Sequence, residues 1–179
     1  MSQGEPRSPG KRNFRDIGYD GTRLKYGSNL GVLSGGLGQL TDGILGKNAN
    51  WNDTNDTEWE SWVGWRDRST RNPTVTFRFD TWRVFSYIRF HIVNHFGNEK
   101  LLFGKLVVSF SNDGEYYSWK VVYEPSRDKR MDKDRAFWIE VDTKDNVGKF
   151  VTCDFFYYGY WILLSEVEFV SSMLKFSFF

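Results

Sequence analysis

Hard oxygen donors occur in two short stretches near opposite ends of the chain. Residues 35–46 place Gln39 and Asp42 in a glycine-punctuated turn, and residues 161–169 place Ser165 and Glu166 in an alternating, strand-like run. Calcium binds such oxygens, typically about six to eight, and takes backbone carbonyls such as those of Ile44 and Ser165. The pattern is compatible with a calcium site. The alternative is that Asp42 only shapes a tight turn and Glu166 is an exposed strand residue.

Other chemistry-bearing residues favour structural roles. His91 and His95 are the only histidines, and in an extended strand their Cα atoms would lie roughly 13 Å apart. Cys153 alternates with Val151 and Phe155, which predicts a buried and inert thiol. The sequence contains no Walker loop, nucleophile elbow or zinc-finger spacing. We therefore expect no enzymatic activity from this chain.

Composition indicates one β-rich domain. The chain has 179 residues, of which 18% are aromatic, and its formal net charge is only +1. The near-neutral charge argues against nucleic acid as a partner. No apolar run reaches the roughly 18 residues that cross a bilayer, and the polar N-terminus does not read as a signal peptide. We expect a linker over residues 1–15, one domain over 16–171 and a tail over 172–179.

Alternation of apolar and polar residues predicts the strands that must position the oxygen donors. The alternation is clear after Pro73, where Val75, Phe77 and Phe79 share one face. Glycine and Asn/Asp turns separate the candidate strands, and no segment has a helical period. This organisation predicts an all-β sandwich or barrel. The further candidate strands are Val84–Val93, Leu102–Ser111, Tyr116–Tyr123, Ala136–Asp142, Phe150–Tyr157 and Ile162–Val170.

The polar segment 47–72 carries four tryptophans and two glycosylation sequons. The sequons begin at Asn52 and Asn55. The tryptophans fit a hydrophobic lid over one end of the sandwich. Alternatively, they form an exposed aromatic surface for a sugar or protein partner. The residues of such a surface would be Trp51, Trp59 and Trp62.

Several motifs follow one another in an order that resembles a known receptor family. Together they resemble the second, discoidin-like domain of the discoidin domain receptors, over about residues 19–171. The first and last motifs are the most specific. The motifs are Gly-Gly-Leu-Gly-Gln-Leu-Thr-Asp-Gly at 35–43, Val-Gly-Trp at 63–65, Phe-Arg-Phe-Asp at 77–80, Arg-Val-Phe at 83–85, Val-Ser-Phe-Ser at 108–111, Phe-Val-Thr-Cys-Asp-Phe at 150–155 and Trp-x-Leu-Leu-Ser-Glu-Val-x-Phe at 161–169.

The resemblance implies a jelly-roll β-sandwich of about eight main strands, of the discoidin or galactose-binding-like type, with bound calcium. A further upstream ligand is implied, where Arg15 aligns but cannot serve and the adjacent Asp16 is the candidate. The chain departs from the family in a longer 21–35 segment and in its single cysteine. The calcium ligands implied by motif match are Gln39, Asp42, Ile44 through its carbonyl, Ser165 and Glu166.

The family comprises collagen-activated receptor tyrosine kinases, so the resemblance implies a non-catalytic, calcium-stabilised ectodomain that supports ligand-dependent activation. Its implied partners are the neighbouring collagen-binding discoidin domain, collagen indirectly, and a second receptor copy in a homodimer. Its implied location is the extracellular side of the plasma membrane, as part of a longer single-pass receptor. The alternative is a stand-alone discoidin-type module that binds glycan or lipid surfaces through the tryptophan-rich segment.

Overall fold

The computed structural model describes residues 14–18, 32–33, 38–48, 61–67, 72–94, 103–125 and 135–174. These residues form eight strands and one short 3-10 helix, Gln39–Thr41. The strands are β1 (Phe14–Gly18), β2 (Val32–Leu33), β3 (Val63–Arg66), β4 (Thr74–Asn94), β5 (Phe103–Ser111), β6 (Ser118–Tyr123), β7 (Arg135–Tyr157) and β8 (Trp161–Met173).

Two long strands, β4 and β7, pass through both layers of the fold. The hydrogen-bonded order is β2-β3-β8-β4-β7-β5-β6, and β1 pairs with β4. β1 lies beside the first part of β4, at residues 76–79, whereas β8 lies beside its second part, at residues 83–92. β5 pairs only with the second part of β7, from residue 150 onward. The sheet therefore curls into a sandwich. The first layer contains β8, the second part of β4 and the first part of β7, and the second layer contains β5, the first part of β4 and the second part of β7.

Aromatic side chains from the two layers meet in the core. Phe90 of the first layer contacts Phe155 of the second edge to face, with ring centroids 5.7 Å apart. Phe77 of the second layer contacts Phe169 of β8 in the same way, at 5.0 Å. Such pairs combine a large buried apolar area with favourable ring geometry. The aromatic richness of the sequence thus fills the space between the layers.

The predicted all-β fold is confirmed, but two pairs of predicted strands are continuous in the structure. The segments predicted at 75–79 and 84–93 form the single strand β4, and those at 136–142 and 150–157 form β7. A pairing irregularity between Phe85 and Tyr87 moves the buried face of β4 from odd to even residue numbers. Short insertions of this kind bend a strand without ending it.

Strand boundaries differ by two residues from the expected domain limits. β1 begins at Phe14, inside the segment predicted as a linker, and β8 continues to Met173, inside the predicted tail. The rest of these two segments, residues 1–13 and 175–179, lies outside the described residues. Cys153 is buried, as its alternation predicted. Among the described residues, no helix is long and apolar enough to cross a membrane.

Candidate metal centre

A glycine-bounded turn shapes the first half of the candidate site. Gly38 precedes the 3-10 helix with φ of 100°, and Gly43 follows it with φ of 83°, a region that glycine enters without a Cβ clash. Gln39 within the helix is buried. Oδ1 of Asp42 accepts a hydrogen bond from the N–H of Ile44 at 2.9 Å, which folds the chain around this carboxylate. The two residue types singled out by the sequence therefore sit in one compact turn.

A bulge in β8 shapes the second half. His91 of β4 lies opposite Glu166, but the next residue, Ile92, lies opposite Leu164, so Ser165 is the extra residue. A bulge redirects side chains that would otherwise alternate between faces. Ser165 and His91 consequently share a hydrogen bond of 2.6 Å between Oγ and Nδ1, and both Ser165 and Glu166 are fully buried.

A hydrogen bond joins the two halves. The N–H of Gly43 donates to Oε2 of Glu166 at 2.7 Å, although the residues are 123 positions apart in sequence. The expected alternative of an exposed Glu166 is wrong, because this side chain is fully buried. The structure brings the turn that carries Gln39, Asp42 and Ile44 against the part of β8 that carries Ser165 and Glu166.

The donor set fits a hard cation. Oδ2 of Asp42 is buried, so this carboxylate oxygen lies inside the turn and not in solvent. Within the same ranges, no group of three or more His, Cys, Asp or Glu side chains is placed to hold a metal. The candidate ligand set therefore combines two carboxylates, of Asp42 and Glu166, with amide and backbone oxygens, which calcium accepts.

The possible upstream ligand is placed only by its backbone. Asp16 lies in β1 opposite Phe77 of β4, and β1 runs close to the 3-10 helix, with Cα atoms of the two elements within 8 Å. This placement leaves Asp16 on a strand adjacent to the turn. Its role as a ligand stays a prediction.

Of the three tryptophans predicted to form a partner surface, only Trp62 lies among the described residues. Trp62 is fully buried, so its assignment to an exposed partner surface is wrong. Its indole N–H donates to the backbone oxygen of Lys47 at 3.0 Å, so the polar atom of this buried ring has a hydrogen-bond partner. The other predicted surface and glycosylation residues, Trp51, Trp59, Asn52 and Asn55, lie outside the described residues.

His91 is a component of the site that sequence reasoning treated only as structural. Its ring stacks on Trp62, with centroids 5.5 Å apart and planes inclined by 17°, and a tilted Trp138 lies 5.1 Å away. Burial lowers the pKa of His91 from 6.5 to about 4, so the imidazole is neutral at neutral pH. A cation beside Ser165 and Glu166 would therefore meet no positive charge from this ring. The sequence offered one signal for this role. His91 lies between the apolar residues Phe90 and Ile92 in a strand, so its side chain is on the opposite face from theirs.

Comparison with known proteins places the chain in a family. The model of the DS-like domain of discoidin domain-containing receptors 1 and 2 matches residues 1–171. The chain belongs to this family. This DS-like domain is 29% identical over 163 residues to discoidin domain-containing receptor tyrosine kinase B of Caenorhabditis elegans, covering 89% of this chain and 19% of that protein.

A mammalian relative gives a similar picture. The DS-like domain is 31% identical over 170 residues to epithelial discoidin domain-containing receptor 1 of Mus musculus, covering 91% of this chain and 18% of the relative. The chain therefore spans about a fifth of the length of the curated relatives that it matches.

Solved structures confirm the predicted galactose-binding-like sandwich. The C-terminal domain of a chitobiase from Bacteroides fragilis aligns with a TM-score of 0.60 at 8% identity, covering 92% of this chain and 97% of that one. CpGH89CBM32-5 from Clostridium perfringens, in complex with GalNAc-β-1,3-galactose, aligns with a TM-score of 0.58 at 10% identity, covering 88% and 94%. At these identities the likeness shows the fold alone.

Proposed function

We propose that this DS-like domain is a non-catalytic, extracellular, calcium-stabilised module of a collagen-activated receptor tyrosine kinase. Membership in the discoidin domain-containing receptor family supports the receptor context. In that context, the module supports a neighbouring collagen-binding discoidin domain and, through it, the ligand-dependent activation of the receptor. Collagen is then an indirect partner, and a second receptor copy is the expected homodimer partner.

The observation that carries the calcium proposal is the hydrogen bond from Gly43 to Glu166. It holds two distant segments together, and Asp42 directly precedes Gly43 in the turn. A cation bound by both carboxyl groups would favour their charged form and offset the cost of burying them. A calcium ion would neutralise the pair and close a loop of more than a hundred residues.

In this proposal the chain's own groups have separate tasks. Asp42 and Glu166 supply the charge, while Gln39 and the carbonyls of Ile44 and Ser165 supply neutral oxygens. The bound calcium would supply a fixed positive centre that all of these oxygens share. The expected effect is mechanical, since β8 and the turn would be held at a fixed separation.

Calorimetric titration of the purified 179-residue chain with calcium tests the proposal. We expect one site in the wild type and a loss of binding of at least about tenfold in Asp42→Asn, which keeps the side-chain shape but removes its charge. Asp142→Asn is the matched control, because Asp142 is an exposed carboxylate of β7 that pairs with Lys144. Equal calcium affinity in Asp42→Asn and Asp142→Asn would contradict the assignment.

The alternative of a glycan- or lipid-binding module through the tryptophan-rich segment has less support. Trp62 is directed into the fold and cannot contribute to such a surface. CpGH89CBM32-5, which has the same fold, is in complex with GalNAc-β-1,3-galactose, but it shares only 10% identity with this chain. A glycan array and vesicle sedimentation that both show no binding would exclude this alternative.

A further inference from the structure

A small apolar cluster on the outer side of the first layer contacts His91 and the chain that follows the Asp42 turn. It consists of the fully or nearly fully buried side chains of Trp62, Val93 and Leu163. This cluster is separate from the main core between the layers. It lies on the same side of the sheet as His91, whose neighbours Phe90 and Ile92 belong to the main core.

Trp62 fixes the chain that follows the metal-binding turn. Its indole N–H donates to the backbone oxygen of Lys47 at 3.0 Å. The ring also lies directly against Gly46, where any Cβ would collide with the indole. Five residues after Asp42, the turn is therefore anchored by one hydrogen bond and by a close ring contact.

His91 connects this anchor to the β8 bulge. One face of its ring stacks on Trp62, and its Nδ1 shares a 2.6 Å hydrogen bond with Oγ of Ser165. The adjacent Glu166 accepts the hydrogen bond from Gly43. A closed path thus runs from the turn through Lys47, Trp62, His91 and Ser165 to β8, and back to the turn through Glu166.

We infer that the stacked pair of Trp62 and His91 positions the calcium-binding turn against the β8 bulge and thereby sets the affinity of the site. This inference rests on the calcium function proposed above. Neither ring supplies an oxygen ligand, so both act as positioning residues. Binding is tighter when ligands are held in place before the ion arrives, because less ordering is needed on binding.

Three substitutions separate the contributions of the pair. His91→Phe keeps a stacked ring but removes the hydrogen bond to Ser165. His91→Asn keeps a polar atom near the position of Nδ1 but removes the ring. Trp62→Phe keeps an aromatic ring but removes the donor to Lys47. Trp82→Phe serves as the control, because Trp82 is a partly exposed tryptophan of β4 that lies outside the cluster.

Two measurements on the full chain test whether Trp62 and His91 position the turn. Calcium affinity is measured by calorimetry, and the exchange rate of the Gly43 amide is measured by NMR without calcium. Circular dichroism first identifies the variants that remain folded. We expect at least fivefold weaker calcium binding and at least fivefold faster Gly43 exchange in His91→Phe and Trp62→Phe, with partial rescue in His91→Asn and no change in Trp82→Phe.

The possible results separate the two proposals. If the wild type binds no calcium, the proposed function fails, and Gly43 exchange alone decides whether the pair positions the turn. If folded His91→Phe and Trp62→Phe both keep wild-type Gly43 exchange and calcium affinity within twofold, the rings only fill space and the inference is overturned. Should Trp62→Phe not fold, the comparison of His91→Phe with His91→Asn gives the answer.

Discussion

At the residue scale, burial decides the chemistry that Cys153 can perform. Its side chain is fully buried between the layers, and burial raises the pKa of the thiol well above its usual value. The neighbouring carboxylate of Asp154 acts in the same direction. The thiolate, which is the reactive form, is therefore suppressed at neutral and mildly alkaline pH.

We predict that Cys153 in the folded chain resists alkylation by iodoacetamide at pH 8 for hours and is fully modified within minutes in denaturant. Mass spectrometry of the intact chain measures the modified fraction. Because both access and ionisation require unfolding, calcium should slow modification further if it stabilises the fold. Rapid and complete modification under native conditions would show that the thiol is accessible.

Alternation of apolar and polar residues predicted the burial of Cys153 but could not predict the hydrogen-bond partner of His91. Alternation reports which face of a strand a residue occupies, so it placed Cys153 with Val151 and Phe155 in the core. It does not report which distant residue lies across that face. The hydrogen bond between His91 and Ser165 joins residues 74 positions apart and depends on a bulge that leaves no local signal.

At the scale of elements, turns and bulges determine where the polar groups converge. The turn between β5 and β6 is one example, since Oγ of Ser111 accepts a hydrogen bond from the N–H of Gly114 at 2.9 Å. Oδ1 of Asp113 accepts further bonds from Glu115 and Tyr116. The hydrogen bonds from Tyr116 and Glu115 lower the pKa of Asp113, and they fix one of the Asn/Asp turns that separate the strands.

We predict that Gly114→Ala lowers the free energy of unfolding by about 1–2 kcal/mol. Gly114 has φ of 86°, which a Cβ disfavours, and the added carbon would lie 3.2 Å from the Phe150 ring. Urea denaturation followed by fluorescence measures the change. Asn112→Ala is the control, because Asn112 is an exposed residue of the same turn and should change stability by less than about 0.5 kcal/mol. Equal effects of the two substitutions would remove the backbone explanation.

The sequence could not predict that β7 is one continuous strand. Residues 143–149, Thr-Lys-Asp-Asn-Val-Gly-Lys, have the composition of a turn, and Lys144 and Asp145 do have positive φ values of 58° and 53°. The strand nevertheless continues, because Thr143 donates to the backbone oxygen of Phe85 and Asp145 accepts from Ser86. These hydrogen bonds to β4 hold residues 143–149 as a bend within β7, where the sequence predicts a connection between two strands.

At the scale of the whole molecule, stability depends on contact between the two layers. Phe155 touches Phe90 across the sandwich and also Phe103 of β5, with ring centroids 5.1 Å apart in the latter pair. We predict that Phe155→Ala lowers the free energy of unfolding by about 3–5 kcal/mol, because a large cavity remains. Chemical denaturation of the wild type and the variant measures this difference in the free energy of unfolding.

The exposed Tyr158, three residues further along, provides the comparison. Its side chain is 68% exposed, and Tyr158→Ala should cost less than about 1 kcal/mol. A cost for Phe155→Ala no larger than that of Tyr158→Ala would contradict the packed two-layer core.

The central claim is that calcium joins the Asp42 turn to β8, and thermal unfolding of the 179-residue chain tests it most directly. Melting is recorded with calcium at about 100 times the dissociation constant and again with chelator, for the wild type and for Asp42→Asn. Filling the site to that degree should add roughly 2.7 kcal/mol to the free energy of unfolding of the wild type and, because binding is at least about tenfold weaker, no more than about 1.4 kcal/mol to that of the variant. Identical melting of the wild type with calcium and with chelator would contradict the claim.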